Sequence, residues 1–307
     1  MTILIHGAKV WLGTGKGWSQ SDVLVDGDKI AKIGPNLDVE ALRRIDATGK
    51  WLIPGVIDPQ VHFREPGNTY KEDLATGSTA CVAGGVTTFF EMPNTDPATI
   101  TADLMRQKQE LAASKCLANF AFFVGATNDN VAELNAATGV CGIKIFMGSS
   151  TGSLLVHEQQ SLERIFAETD PKRVIALHCE DEARILERAK KYKARRDAEV
   201  HSIVRDHEAA LLATRRAVDL AGRYQHRTHI LHVSTGQEVT LLKNAPECVT
   251  SECAPHHLLF NINDYAELGG LIKMNPSLKG PEDNAMLWQG LLEGTIDCVA
   301  TDHAPHT

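Results

Sequence analysis

Aromatic residues are scarce, at 6% of the 307-residue chain, and no apolar run approaches the roughly 20 residues that span a bilayer. Positive charge is not in excess: 31 Lys and Arg stand against 39 Asp and Glu, a formal net charge of −8. With no basic face in the sequence, a nucleic-acid partner is excluded from the expectations. An acidic substrate stays open, because a pocket can be locally positive on an acidic protein. The seven cysteines are an odd number with no C-x-x-C pair. That pattern fits free thiols in a reducing compartment, so the expected location is cytoplasmic. The N-terminus, Met1-Thr2-Ile3-Leu4-Ile5-His6-Gly7, has a strand pattern in place of a signal peptide. Internal repeats and low-complexity linkers are also lacking.

What is present is an ordinary globular composition, 43% hydrophobic and 23% charged, long enough for one large α/β domain plus an appendage. The first fifty residues read as β, with strand-like runs at Ile3–Leu12, Asp22–Val25 and Lys29–Ile33 and a turn signal at Asp26-Gly27-Asp28. Beyond Trp51 strands alternate with helices. The strand candidates are Gly55–Val61, Thr87–Met92, Asn119–Gly125, Gly142–Met147, Val174–Cys179, Thr228–Val233, Cys248–Cys253 and Asp297–Thr301. Ala102–Lys115, Asp181–Arg195 and Val204–Ala221 are the clearest helices. Eight strands in βα order predict a (β/α)8 TIM-type barrel over 51–307, and 1–50 form the N-terminal part of a small β-sandwich. No eighth helix follows the eighth strand, and the N-terminal β segment is too short to bury itself. The expectation is therefore a missing C-terminal part, and poor solubility for a chain of this length.

In such a barrel the active site lies at the C-terminal ends of the strands. His62, His178, His232 and Asp302 fall at four of those ends, and Lys144 lies within the fourth strand. Imidazole nitrogen and carboxylate oxygen suit Zn²⁺ and leave room for a water, which a zinc ion ionises near neutral pH. A charged lysine is a poor ligand, but CO₂ added to the Lys144 amine gives a carbamate able to bridge two ions. Each residue has a plainer role available. A single histidine near a strand end is more often packed than ligating. Lys144 alone fits a buried amine paired with a carboxylate, and Asp302 alone fits a loop cap. The joint placement of five such residues at one end of the barrel is what points to metal-assisted hydrolysis. His256 and His257 follow the seventh strand as loop residues.

These residues resemble the amidohydrolase superfamily, and within it dihydroorotase, over essentially the whole chain. The motifs are Asp58-x-x-Val61-His62-Phe63-Arg64-Glu65-Pro66-Gly67, Glu91-Met92-Pro93-Asn94-Thr95, Gly142-Ile143-Lys144-Ile145-Phe146-Met147-Gly148 and Ala176-Leu177-His178-Cys179-Glu180. His229-Ile230-Leu231-His232-Val233-Ser234, Met274-Asn275-Pro276-Ser277-Leu278-Lys279 and Thr301-Asp302-His303-Ala304-Pro305-His306 complete the set. The resemblance implies a metal-bearing barrel beside a composite β-sandwich, and the reversible cyclisation of N-carbamoyl-L-aspartate to L-dihydroorotate in pyrimidine biosynthesis. It implies Asp302 as catalytic base, one or two Zn²⁺ held by His62, Lys144, His178, His232 and Asp302, and a carboxylated Lys144. Arg64, Asn94 and His306 would then form a carboxylate pocket, with Asn275 on the ring amide. Read without the motifs, Arg64 fits a surface ion pair with Glu65, and Asn94 and Asn275 fit turn residues before prolines.

The chain departs from the family pattern at one position. The first-strand motif is usually His-x-His, and here it reads Gln60-Val61-His62. Three outcomes stay open: Gln60 ligates through its oxygen, one metal is held without it, or the site is metal-free. Retention of the other ligands and of the anion pocket favours an active enzyme with a small-molecule substrate, and a homodimer stays open as its assembly. The alternatives are a non-catalytic subunit partnering aspartate carbamoyltransferase, and a different cyclic amidase such as an allantoinase or hydantoinase.

Overall fold

The computed structural model describes residues 1–148 and 154–306. The chain divides into two compact units, Met1–Val56 and Ile57–Thr307, the last residue of the second lying outside the described residues.

The first unit is a sheet of five strands, β1 (Thr2–Trp11), β2 (Trp18–Asp26), β3 (Lys29–Gly34), β4 (Arg43–Asp46) and β5 (Trp51–Leu52). β1 and β2 pair antiparallel, β2 and β3 form the hairpin, and β4 and β5 both run parallel to β1. Gly27 turns the hairpin at φ 60, a conformation that glycine adopts without a Cβ penalty. β4 and β5 were not foreseen, since four and two residues are too few to show alternation. The core is small, Ala8, Val10, Val23 and Ala47, and the Asp22 carboxylate supplements it by accepting the Gly7 and Leu37 amides, both at 2.9 Å.

Eight parallel strands in sequential order make up the second sheet, which lies in the second unit apart from its first residue, Val56. They are β6 (Val56–Val61), β7 (Val86–Glu91), β8 (Asn119–Gly125), β9 (Gly142–Phe146), β10 (Val174–His178), β11 (Thr228–Ile230), β12 (Val249–Cys253) and β13 (Cys298–Val299). A bridge between Val61 and His303, with the His62 amide donating to the His303 carbonyl at 2.7 Å, brings the chain after β13 back to β6. Asp58 fastens the same seam, accepting the Thr301 amide at 3.1 Å and the Thr301 hydroxyl at 2.5 Å. Strand alternation divides the side chains between two faces. Ile143, Ile145, Ile175, Leu177 and Ile230 join Phe63, Phe89 and Phe122 in the large core. Between them, Lys144 and Ala176 face the other way, and Ala176 packs with Met92, Phe123 and Leu231.

Two helices depart from the expected bounds. The stretch expected as Val204–Ala221 is broken, into Val200–Val204 and His207–Tyr224. Asp206 causes the break by capping the second helix, accepting the Ala209 amide at 3.1 Å, while its carboxylate grips the Arg184 guanidinium at 2.7 and 2.6 Å. The stretch expected from Asp181 begins instead at Glu182, because Asp181 is its N-cap, and it stops at Lys191. His256 and His257 are not loop residues: Pro255 starts a short helix, Pro255–Leu259, that contains both.

Candidate active site

Seven of the ten candidate residues meet beyond the C-terminal ends of β6, β7, β9, β10, β11 and β13 or just inside them: Gln60, His62, Asn94, Lys144, His178, His232 and Asp302. β11 and β13 are shorter than expected, so His232 and Asp302 lie in the segments that follow them, at φ 36 and φ 49. Arg64, after β6, has φ 64. Left-handed backbone at a non-glycine residue costs on the order of 1–3 kcal/mol and persists where the surroundings impose it. Three such residues in one site mark the strain as part of its construction.

His178 and His232 are both buried, and His178 Nδ1 lies 3.0 Å from His232 Nε2. His178 Nε2 donates to the Glu180 carboxylate at 2.9 Å, which leaves Nδ1 with its lone pair. Burial pushes His232 well below the ordinary histidine range, and neighbouring His178 and Lys144 lower it further. Burial also lowers His178, against the pull of Glu180. Both rings are therefore neutral, the form that ligates metals.

His62 Nδ1 sits 2.6 Å from the amide oxygen of Asn94, which only accepts, so Nδ1 carries a proton. Its Nε2 faces Asp302 Oδ1 at 3.0 Å. Gln60 is 1% exposed and donates through Nε2 to the same Asp302 oxygen at 3.1 Å, leaving its own Oε1 buried without a partner among the described residues. Burial raises the Asp302 carboxyl, but His62, with Lys144 and His256, outweighs it and holds the group below the usual carboxylate value. Lys144 is fully buried, and among the described residues its Nζ has no hydrogen-bond partner; it lies 4.5 Å from the Phe146 ring centroid. The expected carboxylate partner is thus replaced by an orphan amine, pushed by burial down to about 8. Among the described residues Gln60 Oε1 and Lys144 Nζ are two orphaned polar atoms in one site, where native interiors leave few, and His178 Nδ1 and His232 Nε2 face each other in the same site. This donor set fits a divalent cation.

Arg64 is not the surface partner of Glu65. It is buried, its Nε donates to the Pro305 carbonyl at 3.1 Å and its Nη2 to His306 Nε2 at 3.0 Å. Glu65 instead binds Lys115 at 2.5 Å and the Leu74 amide at 2.9 Å. Gly67 lets this loop lie against the next one, because a Cβ there would collide with the Asp96 carbonyl. Asn94 faces His62 as well as preceding its turn, and Asn275 Oδ1 is buried without a partner among the described residues.

Sequence reading missed a second polar group, His229, Glu252 and Cys298 on β11, β12 and β13, whose donor atoms all lie within 4.8 Å of one another. The imidazole bonds Thr250 at 2.8 Å and Glu252 Oε2 at 3.1 Å, so both ring nitrogens are taken, while Glu252 Oε1 is buried without a partner among the described residues. A polar residue at the same register as Ala176, as His229 is, was the available signal.

The amidohydrolase family matches residues 51–306. The chain belongs to the amidohydrolase family. Its sequence kinship within the family is with dihydroorotases. That of Methanosarcina acetivorans is 37% identical over 300 residues, covering 93% of this chain and 64% of that protein. That of Lactobacillus helveticus is 38% identical over 304 residues, covering 93% and 68%. The chain thus spans about two thirds of the length of these relatives. Among solved structures it resembles the L-hydantoinase (dihydropyrimidinase) of Arthrobacter aurescens, with TM-score 0.93 and 29% identity over 99% of this chain and 69% of that one. It also resembles the dihydropyrimidinase of Brevibacillus agri, with TM-score 0.89 and 26% identity over 100% and 69%. The amidohydrolase fold is therefore established together with the (β/α)8 reading. Among the described residues no helix is long and apolar enough to cross a membrane.

Proposed function

We propose that this amidohydrolase is a zinc-dependent dihydroorotase, which interconverts N-carbamoyl-L-aspartate and L-dihydroorotate in pyrimidine biosynthesis. The observation that carries the reading is the convergence of His62, Asp302, His178 and His232 beside a buried arginine, with Gln60 Oε1 and Lys144 Nζ orphaned among the described residues. His62, His178, His232, Asp302 and Lys144 would hold one or two ions, with Gln60 Oε1 supplying the oxygen of the position where the family has histidine. When bound, zinc polarises a carbonyl oxygen and lowers the pKa of a water.

The chain's own residues supply the rest. Asp302 stays ionised, and Gln60 and His62 occupy its Oδ1. Oδ2 is then the atom that takes the proton from the attacking water and hands it to the leaving ring nitrogen. Burial favours the neutral Lys144 amine, whose lone pair adds to CO₂ with loss of one N–H proton, giving a carbamate with two ligand oxygens. Arg64 keeps part of its planar fork beyond Pro305 and His306 for a substrate carboxylate. Asn94, with its oxygen on His62, has its N–H groups for the same carboxylate, which ties substrate binding to a ligand. Asn275 Oδ1 can accept from the ring amide. The substrate's carboxylate is what Arg64 discriminates, and this supports a dihydroorotate-type ring over a plain hydantoin.

Two observations favour other readings. The likeness to hydantoinases supports a different cyclic amidase, and faster hydrolysis of hydantoin or allantoin than of dihydroorotate would establish it. Gln60 supports a non-catalytic subunit partnering aspartate carbamoyltransferase, which stoichiometric zinc in the site would refute. The deciding assay is carbamoyl-aspartate cyclisation with zinc supplied, compared with Asp302→Ala. Turnover no greater than that of the variant overturns the proposal.

A further inference from the structure

Glu180 follows His178 by two residues as the chain leaves β10, and its carboxylate returns to the His178 ring. The carboxylate is 1% exposed, and its Oε2 lies 2.9 Å from His178 Nε2 and 2.5 Å from Arg205 Nη1. Arg205 is itself held from behind. Its carbonyl accepts the Ser277 hydroxyl at 2.7 Å, and its amide donates to His201 at 3.0 Å. His201 in turn bonds the Met274 carbonyl at 2.7 Å. The carboxylate is thus gripped between a ligand candidate and a segment anchored to Met274–Ser277, which carries Asn275.

The chemistry of this contact is one-directional. An ionised carboxylate accepts and cannot donate. His178 must place its single proton on Nε2, and its lone pair on Nδ1, the atom aimed at His232 Nε2. Without an acceptor at Nε2 the proton is free to sit on Nδ1, where it blocks ligation. We propose that Glu180, with Arg205 balancing its charge, is a positioning residue that fixes the His178 tautomer and thereby sets the metal affinity of the site. The inference rests on the reading that the site binds a divalent cation, and goes beyond it in assigning affinity to a residue that touches neither ion nor substrate. A carboxylate behind a ligating histidine typically changes metal affinity about 10–100-fold.

The test uses the whole chain, stripped of metal, with selective ¹⁵N labelling of histidine. In the wild type, the His178 imidazole nitrogens should report the Nε2–H tautomer. Glu180→Gln offers either an oxygen or an N–H group, so the tautomers should mix and the zinc Kd, measured by chelator competition, should rise about tenfold. The double variant Glu180→Leu with Arg205→Met removes the acceptor without stranding the guanidinium. It should move the proton toward Nδ1 and raise the zinc Kd about 10–100-fold, with KM for carbamoyl-aspartate at saturating zinc unchanged. A purely structural ion pair would alter stability and leave the tautomer alone. Wild-type tautomer and zinc affinity in Glu180→Gln overturn the inference, whether or not the double variant folds. Failure of the wild type to bind zinc would overturn the functional reading and with it the claim on metal affinity, and the metal-free tautomer measurement would still decide whether Glu180 fixes the His178 tautomer.

Discussion

Lys108→Met is expected to destabilise the barrel severely, and Glu91 is the reason. Lys108, on the helix Ala102–Lys115, pairs with Glu91 at the end of β7, and each side chain is 1% exposed. Its ammonium also donates to the Met92 carbonyl at 3.2 Å and lies 5.1 Å from the Phe122 ring centroid. Burial pushes the Glu91 carboxyl up, and Lys108 is the chief force opposing it. Methionine matches the stem of lysine, so packing survives while the counter-charge goes. A buried charge left without its partner costs about 3–5 kcal/mol. At roughly 2–4 °C per kcal/mol for a large domain, the Tm should fall on the order of 10 °C. Denaturant unfolding with zinc held constant checks the figure. The deficit should shrink as pH falls, because protonating the stranded carboxyl relieves it, and grow as pH rises. The double variant Glu91→Leu with Lys108→Met, which buries no charge, should recover most of the loss. A single variant within about 1 kcal/mol of wild type would refute the reasoning, since even a modest exposed pair accounts for that much.

Four further outcomes are expected. Asp302→Asn should lower kcat by about 10²–10⁴-fold, measured at saturating zinc, since the amide cannot carry the proton. Arg64→Lys should raise KM for carbamoyl-aspartate about tenfold with a smaller effect on kcat, because an ammonium cannot reproduce the planar fork. Gln60→His should tighten zinc by at least about tenfold in chelator competition if that position coordinates; unchanged affinity would show that it does not. His201 is pushed from 6.5 down to about 4, chiefly by burial. Its folded value lies below its unfolded one, so its contribution is full above pH ~6.5 and is lost as pH falls toward ~4, removing about 2–3 kcal/mol. His201→Gln should abolish that part of the pH slope in denaturant unfolding.

The barrel was legible because each strand is a short apolar run, the first seven with a helix after them, and seven of the eight runs hold their place to within one or two residues. β11 is the exception at its end, because left-handed backbone at His232 takes the chain out of the ladder, and hydropathy does not report φ. The break at Asp206 was hidden for a related reason: a capping aspartate inside a helical period is visible only once its partners Ala209 and Arg184 are known. The ligand candidates were legible as residue types at strand ends. Their pairing was not. That His62 spends its proton on Asn94, that Glu180 orients His178, and that Lys144 has no carboxylate among the described residues all depend on contacts across the barrel mouth. The Glu91–Lys108 pair escaped notice because the two charges lie on different elements, the end of β7 and a helix, and nothing in the sequence pairs them.

Anomalous scattering at the zinc edge, from crystals of the chain grown with zinc, tests the account most directly. The account predicts a peak about 2.0–2.1 Å from both His178 Nδ1 and His232 Nε2. Density showing those two nitrogens still bonded to each other, with no peak between them at saturating zinc, would contradict it.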